Sequence, residues 1–230
     1  MASDRLRRIL AALSDGGDDW SSARLCGACP AMLSVSGSGI MLMSGDLPGG
    51  SLCTTDQRSE LIEDVQYTLG EGPCVDAHQQ GRVVAEPDLA DPVSRRWPGF
   101  SPPVLEAGVR AVFGFPLAVG RARLGALNLY RDEAGPLTAD QHADALVLAD
   151  VIARWVLEAQ AGAPFGAVAE ELEVSADFHF AVHNAAGIVS VQEDVSVTEA
   201  LIRLRAHAFS NDRPINDVAQ GIIARTLRLS

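Results

Sequence analysis

The stretch Tyr67-Thr68-Leu69-Gly70-Glu71-Gly72-Pro73-Cys74-Val75-Asp76-Ala77 decides how the larger part of this chain folds. Gly70, Gly72 and Pro73 force an irregular turn, because glycine reaches backbone angles closed to other residues and proline fixes its own. A short helix is predicted to start near Cys74, which places backbone N–H groups and a thiol at a helix N-terminus. Downstream, Val109, Ala111, Phe113, Phe115 and Leu117 alternate on one face of a strand. After a turn at Gly120, residues 123–131 make its hairpin partner, and residues 138–157 read as a long closing helix.

Upstream, residues 4–13 read as a short amphipathic helix, 15–19 as a Gly/Asp loop, and 20–29 as a second helix ending before Pro30. Strand patterns follow at 31–36 and 39–44, joined by a turn containing Gly37, and at 51–54 after the Pro48-Gly49-Gly50 break. This alternation of short strands and helices predicts an α+β domain over residues 1–162. A linker over 163–177 and an all-α domain over 178–230 complete the chain.

The last third reads as three short helices. The first should end near Asp194, and the second opens on Ser196-Val197-Thr198-Glu199, the pattern of a reciprocal capping box. Ala200, Leu201, Leu204 and Ala208 form its apolar stripe, with Arg203, His207 and Ser210 on another. The third starts at Pro214, where a missing N–H costs nothing, and Ile215, Val218, Ala219, Ile222 and Ile223 make its buried stripe.

All 18 basic residues are Arg and none is Lys, against 30 Asp and Glu, for a net charge of −12. Without a Lys ammonium, a P-loop nucleotide site, a Schiff-base mechanism, a protein-kinase core and an ordinary phospho-acceptor receiver are excluded. The charge is uneven: residues 1–177 carry 13 Arg against 25 acidic groups, and 178–230 carry 5 against 5. Phosphate neutralisation supplies most nonspecific nucleic-acid affinity, so any nucleic acid must meet the neutral tail. No stretch approaches the ~18 apolar residues of a membrane span, and Arg5, Arg7 and Arg8 break up any signal-peptide core. The expected location is cytoplasmic. Neither a Gly-x-Ser-x-Gly elbow nor a dinucleotide fingerprint is present, so no enzyme activity, cofactor or metal is expected.

The tail segments Ala185-Ala186-Gly187-Ile188-Val189, Glu199-Ala200-Leu201, Leu204-Arg205, Ala208 and Pro214-Ile215-Asn216-Asp217-Val218-Ala219 resemble the ANTAR domain, a three-helix RNA-binding antiterminator module of bacteria. Residues 67–77, with Asp88-Leu89 and residues 110–117, resemble the GAF domain that precedes ANTAR in actinobacterial proteins. Together the two resemblances cover nearly the whole chain. They imply a six-stranded antiparallel sheet flanked by helices, then an RNA-binding tail that stabilises a hairpin competing with a terminator. The family commonly has Ala-Lys-Gly where this chain has Ala185-Ala186-Gly187, so one cation is missing. Arg205 and Arg213 match basic positions, and Arg203, Arg225 and Arg228 add charge. The expected RNA face is Asn184, Ala186, Gly187, Arg203, Arg205, His207 and Arg213, since guanidinium groups bind phosphate and stack on loop bases. The alternative is a non-enzymatic dimeric interaction module that has lost RNA binding.

The same resemblance places a small-molecule pocket in the GAF half. Cys74 would sit at it, Trp97, Phe100 and Phe113 would wall or plug it, and Asn128 and Tyr130 would supply polar contacts from one strand face. Cys74 is the better candidate for a regulatory thiol, because a helix N-terminus favours the thiolate; the alternative is a structural thiol, since nothing else in the sequence marks it as reactive. Cys26-Gly27-Ala28-Cys29 has the spacing of half a zinc site or a redox motif, but lacks a second pair, so these cysteines read as small buried hydrophobes. His179 and His183, spaced i and i+4, read as core or interface rather than metal ligands. A homodimer is expected through the closing helix, whose Leu146, Val147, Val151, Ile152, Trp155 and Val156 wrap more than one face.

Overall fold

The computed structural model describes residues 2–14, 21–44, 47–94, 96–162, 169–211 and 213–229, so the loop expected at 15–19 lies outside the described residues. The chain divides into two compact units, Met1–Val168 and Ala169–Ser230.

The first unit opens with α1 (Ala2–Ser14) and α2 (Ser22–Leu33). Ser21 caps α2 by accepting from the Arg24 N–H. This helix does not end before Pro30 but runs on to Leu33. Proline removes the N–H that would have reached the Cys26 carbonyl, and the Ser38 hydroxyl donates to that carbonyl instead, at 3.0 Å. Residues 31–33 are therefore helical rather than the first strand. Ser34, at φ 50°, closes the helix in the left-handed region.

The sheet begins with the hairpin of β1 (Gly37–Ser44) and β2 (Leu47–Thr54). β2 starts before residue 51 because Pro48 is tolerated on an edge strand, and the register slips twice there, with Gly49 and Leu52 as the extra residues. After α3 (Gln57–Leu69) and α4 (Pro73–Gln80) come β3 (Val84–Glu86), α5 (Ser101–Glu106), the hairpin of β4 (Ala111–Val119) and β5 (Ala122–Arg131), and α6 (Ala139–Gly162). The order is β2-β1-β5-β4-β3, antiparallel throughout, so the described sheet has five strands, not six.

Strand alternation sends neighbouring residues to opposite sides of this sheet. One side carries α2 and α6: Ser38 reaches Cys26 of α2, and Phe115 lies 5.4 Å from the His142 ring of α6. The other side carries α3 and α4. Across it runs a ladder row in which Gly39 of β1 pairs with Asn128 of β5, and Asn128 pairs with Gly114 of β4. Both glycines are needed for close approach. A Cβ on Gly114 would stand 2.3 Å from the Pro73 carbonyl oxygen, and one on Gly39 would stand 2.7 Å from Glu63 Oε1.

The second unit contains α7 (Ala169–Glu193), α8 (Val197–Ser210) and α9 (Ile215–Ile223). Residues 169–177 are thus helical rather than linker. The capping box of α8 is only half formed: Ser196 Oγ accepts from the Glu199 N–H at 3.1 Å, while the Glu199 carboxylate accepts from Arg203 Nε at 3.2 Å. Ala200, Leu201, Leu204 and Ala208 are buried, as are Ile215, Val218, Ala219 and Ile222. Ile223 leaves the expected stripe and is exposed. Pro214 is the N-cap of α9 rather than its first turn.

No described helix is long and apolar enough to cross a membrane. On α6, Val151 and Ile152 are buried, and the exposed large hydrophobic residues among the described side chains are Leu146 and Leu157.

Candidate functional site

The helix-facing row of the sheet ends in a buried polar cluster. α3 is held at its start by Asp56 and Ser59, which cap each other's backbone N–H groups, and its inward stripe is Ser59, Ile62, Glu63, Gln66 and Tyr67. That stripe aims Glu63 and Gln66 at the sheet. Asn128 Nδ2 donates to Glu63 Oε1 at 3.3 Å, and Gln66 Oε1 accepts from the Cys74 N–H at 2.7 Å. Glu63, Gln66, Cys74 and Asn128 are all at most 1% exposed. Glu63 Oε2, Gln66 Nε2 and Asn128 Oδ1 have no hydrogen-bond partner among the described residues. Burial pushes the Glu63 carboxyl up to about 8, so at neutral pH it is mostly a neutral donor.

The turn that the sequence singled out delivers α4 to this cluster. Gly70 ends α3 at φ 66°, and Gly72 precedes Pro73 at φ 136°, an angle that favours glycine. A Cβ at Gly72 would also lie 2.5 Å from Gln66 Cγ. Cys74 does stand in the first turn of α4, but its thiol is not activated. Burial pushes its pKa well above the ordinary value, and the Glu63 charge adds to the shift. Desolvation overrides the helix terminus.

The other expected ligand residues are dispersed. Phe113 pairs with Leu129 and shares the α6-facing side with Phe115, so it neither walls nor plugs the cluster. Trp97 and Phe100 lie edge to face, with centroids 5.6 Å apart, in the segment before α5. That segment is strapped to α4. Trp97 Nε1 donates to Asp76 at 3.1 Å, and the N–H groups of Gly99 and Phe100 both donate to Glu71 Oε1. Trp97 itself holds φ 54°. Tyr130 is on the same strand face as Asn128 but at the sheet end, where its hydroxyl donates to Asp56 at 2.7 Å beside a surface hollow lined by Ser36, Arg58 and Asp132. Sequence reasoning missed Glu63 and Gln66. Their signal was two polar residues on the stripe that starts at Ser59.

Of the two cysteines read as small hydrophobes, Cys26 is instead bonded: Cys26 of α2 and Cys53 of β2 form a disulfide, leaving Cys29 and Cys74 as free thiols. No group of three or more His, Cys, Asp or Glu placed to hold a metal ion occurs among the described residues. The side chain of His179 lies outside the described residues.

In the second unit the expected RNA face is uneven. Asn184 and Arg213 are exposed, and Gly187 has open space beside it. Arg203 is half-buried and pairs with Glu199 and Glu193, while His207 is half-buried. Two expected members face inward. Arg205 is 8% exposed and Ala186 is 0% exposed, because both fall on helix faces turned to the three-helix core. The His183 imidazole is held below its ordinary pKa, mainly by burial and also by Arg205. Ile202 and Phe209, not expected at any site, are 52% and 63% exposed on α8.

A family model described as GAF domain matches residues 21–159. Among solved structures, the GAF domain of a phosphoenolpyruvate-protein phosphotransferase from Acinetobacter is 17% identical, with a TM-score of 0.53, covering 70% of this chain and 95% of that one. The corresponding domain from Coxiella burnetii is 14% identical, with a TM-score of 0.52 and the same coverage. At such identities the likeness is one of fold. No curated protein matches the chain.

Proposed function

This chain belongs to the GAF domain family, and from that premise we propose that it is a regulator whose GAF unit senses a signal and whose three-helix unit binds hairpins in nascent RNA to prevent termination. The observation that carries the sensor half is the buried cluster of Glu63, Gln66 and Asn128 where α3 meets the sheet, which holds three polar atoms without a partner among the described residues. Buried polar atoms are almost always paired. A small neutral molecule that accepts from Gln66 and Glu63 and donates to Asn128 suits them.

Support for the RNA half is the motif spacing of the tail, whose helices bury the expected apolar stripes of α8 and leave Arg213 and Asn184 in solvent. The protein acts by binding, with no chemical step, in the cytoplasm, and as a homodimer through Leu146 and Leu157 of α6. Leu146→Glu should then yield monomers in light scattering.

The test is anisotropy of a labelled terminator-proximal hairpin across a salt series. Each phosphate contact contributes a slope of roughly 0.7–0.9 in log affinity against log salt. Absence of salt-dependent affinity would favour the second reading, a dimeric interaction module. Exposed Ile202 and Phe209 are the observation on its side.

A further inference from the structure

Cys26 anchors α2 to the sheet twice over. Its carbonyl accepts from the Ser38 hydroxyl of β1, and its sulfur is bonded to Cys53 of β2. The two sulfur-bearing residues differ in access. Cys26 is 0% exposed, while Cys53 is half-buried on the edge strand, next to the slip that makes Leu52 an extra residue. We propose that the Cys26–Cys53 bond is a thiol-exchange site entered from solvent at Cys53, with a low-molecular-weight thiol and its disulfide as co-reactants.

The chemistry runs in one direction of attack. A thiolate RS⁻ attacks Cys53 Sγ, a new S–S bond forms, and the bond to Cys26 breaks; the Cys26 thiolate takes a proton from water. A second RS⁻ attacks the small-molecule sulfur of the mixed disulfide, giving RSSR and the Cys53 thiolate, which is also protonated. Two electrons have passed from the small thiols to the protein, and RSSR reverses the sequence.

Cys29 invites a different assignment, because Cys26-Gly27-Ala28-Cys29 has redox-motif spacing. The structure argues against it. Cys29 is fully buried, its thiol donates to the Leu25 carbonyl at 3.1 Å, and burial pushes its pKa up to about 12. A thiol held protonated in this way is no nucleophile at neutral pH. The exchanging partner of Cys26 is therefore 27 residues away in sequence rather than three.

The full chain is equilibrated with reduced and oxidised glutathione mixtures spanning cytosolic to secretory poises, quenched in acid, unfolded, and labelled with a polymer maleimide. The expected result is two labels per chain at the oxidising end, on Cys29 and Cys74, and four at the reducing end. Cys53→Ser should carry three labels throughout, and Cys29→Ser should keep the transition with one label fewer at each end. Peptide mass spectrometry of partly reduced samples should find glutathione on Cys53 and not on Cys26. Two labels or four labels at every poise, loss of the transition in Cys29→Ser, or glutathione on Cys26 would each overturn the proposal.

Discussion

Asn128 and Glu63 meet at 3.3 Å in the interior, each at most 1% exposed, with the carboxamide donating to the carboxyl. The pair exists because glycines flank Asn128 in its ladder row: Gly39 leaves room for Glu63, and Gly114 for the Pro73 carbonyl. One polar side chain thus sits buried beneath the helices on this side of the sheet, and its partner's proton becomes part of the fold.

That proton predicts a pH dependence. The folded pKa of Glu63, about 8, lies above the unfolded value of roughly 4.3. The native state therefore binds more protons between these values, and the stabilisation is complete below the lower one and is lost as pH rises through the higher. Glu63→Gln keeps a neutral side chain of the same length. Thermal denaturation of the wild type from pH 6 to 9 should show melting temperature falling relative to Glu63→Gln; parallel curves would show that Glu63 is ionised in the native protein.

Gly114→Ala should lower stability by about 1–3 kcal/mol, the ordinary cost of overpacking, because the new Cβ meets a backbone carbonyl that only a shift of α4 can relieve. Gly187→Ala in α7 meets nothing within 4 Å and should be neutral or slightly stabilising, since alanine is the better helix former. Urea unfolding of the two variants checks the contrast.

Two arginines of the tail should separate stability from binding. Arg205 is nearly buried, so Arg205→Ala should cost on the order of 1–3 kcal/mol of stability through the packing of its stem and the space it leaves. Arg213 is exposed, so Arg213→Ala should stay within about 0.5 kcal/mol of wild type while reducing the salt slope of hairpin binding by roughly 0.7–0.9. Ala186→Lys would force an ammonium into the core of the three-helix unit and should destabilise it rather than restore a contact. Denaturation curves and anisotropy on the same preparations read both effects.

The β4–β5 hairpin and the α8 stripe were legible because period-2 and period-3.6 patterns are local. The turn at 70–73 was legible because glycine and proline restrict the backbone directly. The continuation of α2 through Pro30 was not, since it depends on a hydroxyl supplied by Ser38 from another element. A three-residue strand such as β3 has no period to detect. At the site, Cys74 was located but its two readings, regulatory and structural, stayed open, because the helix-terminus effect is visible in sequence and the opposing burial is not. Phe113 failed for a related reason: hydrophobicity marks a residue as buried without saying on which side of the sheet.

The outer strands of the sheet bear on how copies of this chain could associate. β2 carries Pro48 and two register slips, and β3 is only three residues long. A strand from another molecule needs an unbroken, regularly spaced run of donors and acceptors to add to a sheet, and neither border supplies one. Lengthening of the sheet from chain to chain is thereby disfavoured, during folding as well as after it, and self-association is left to helical surfaces.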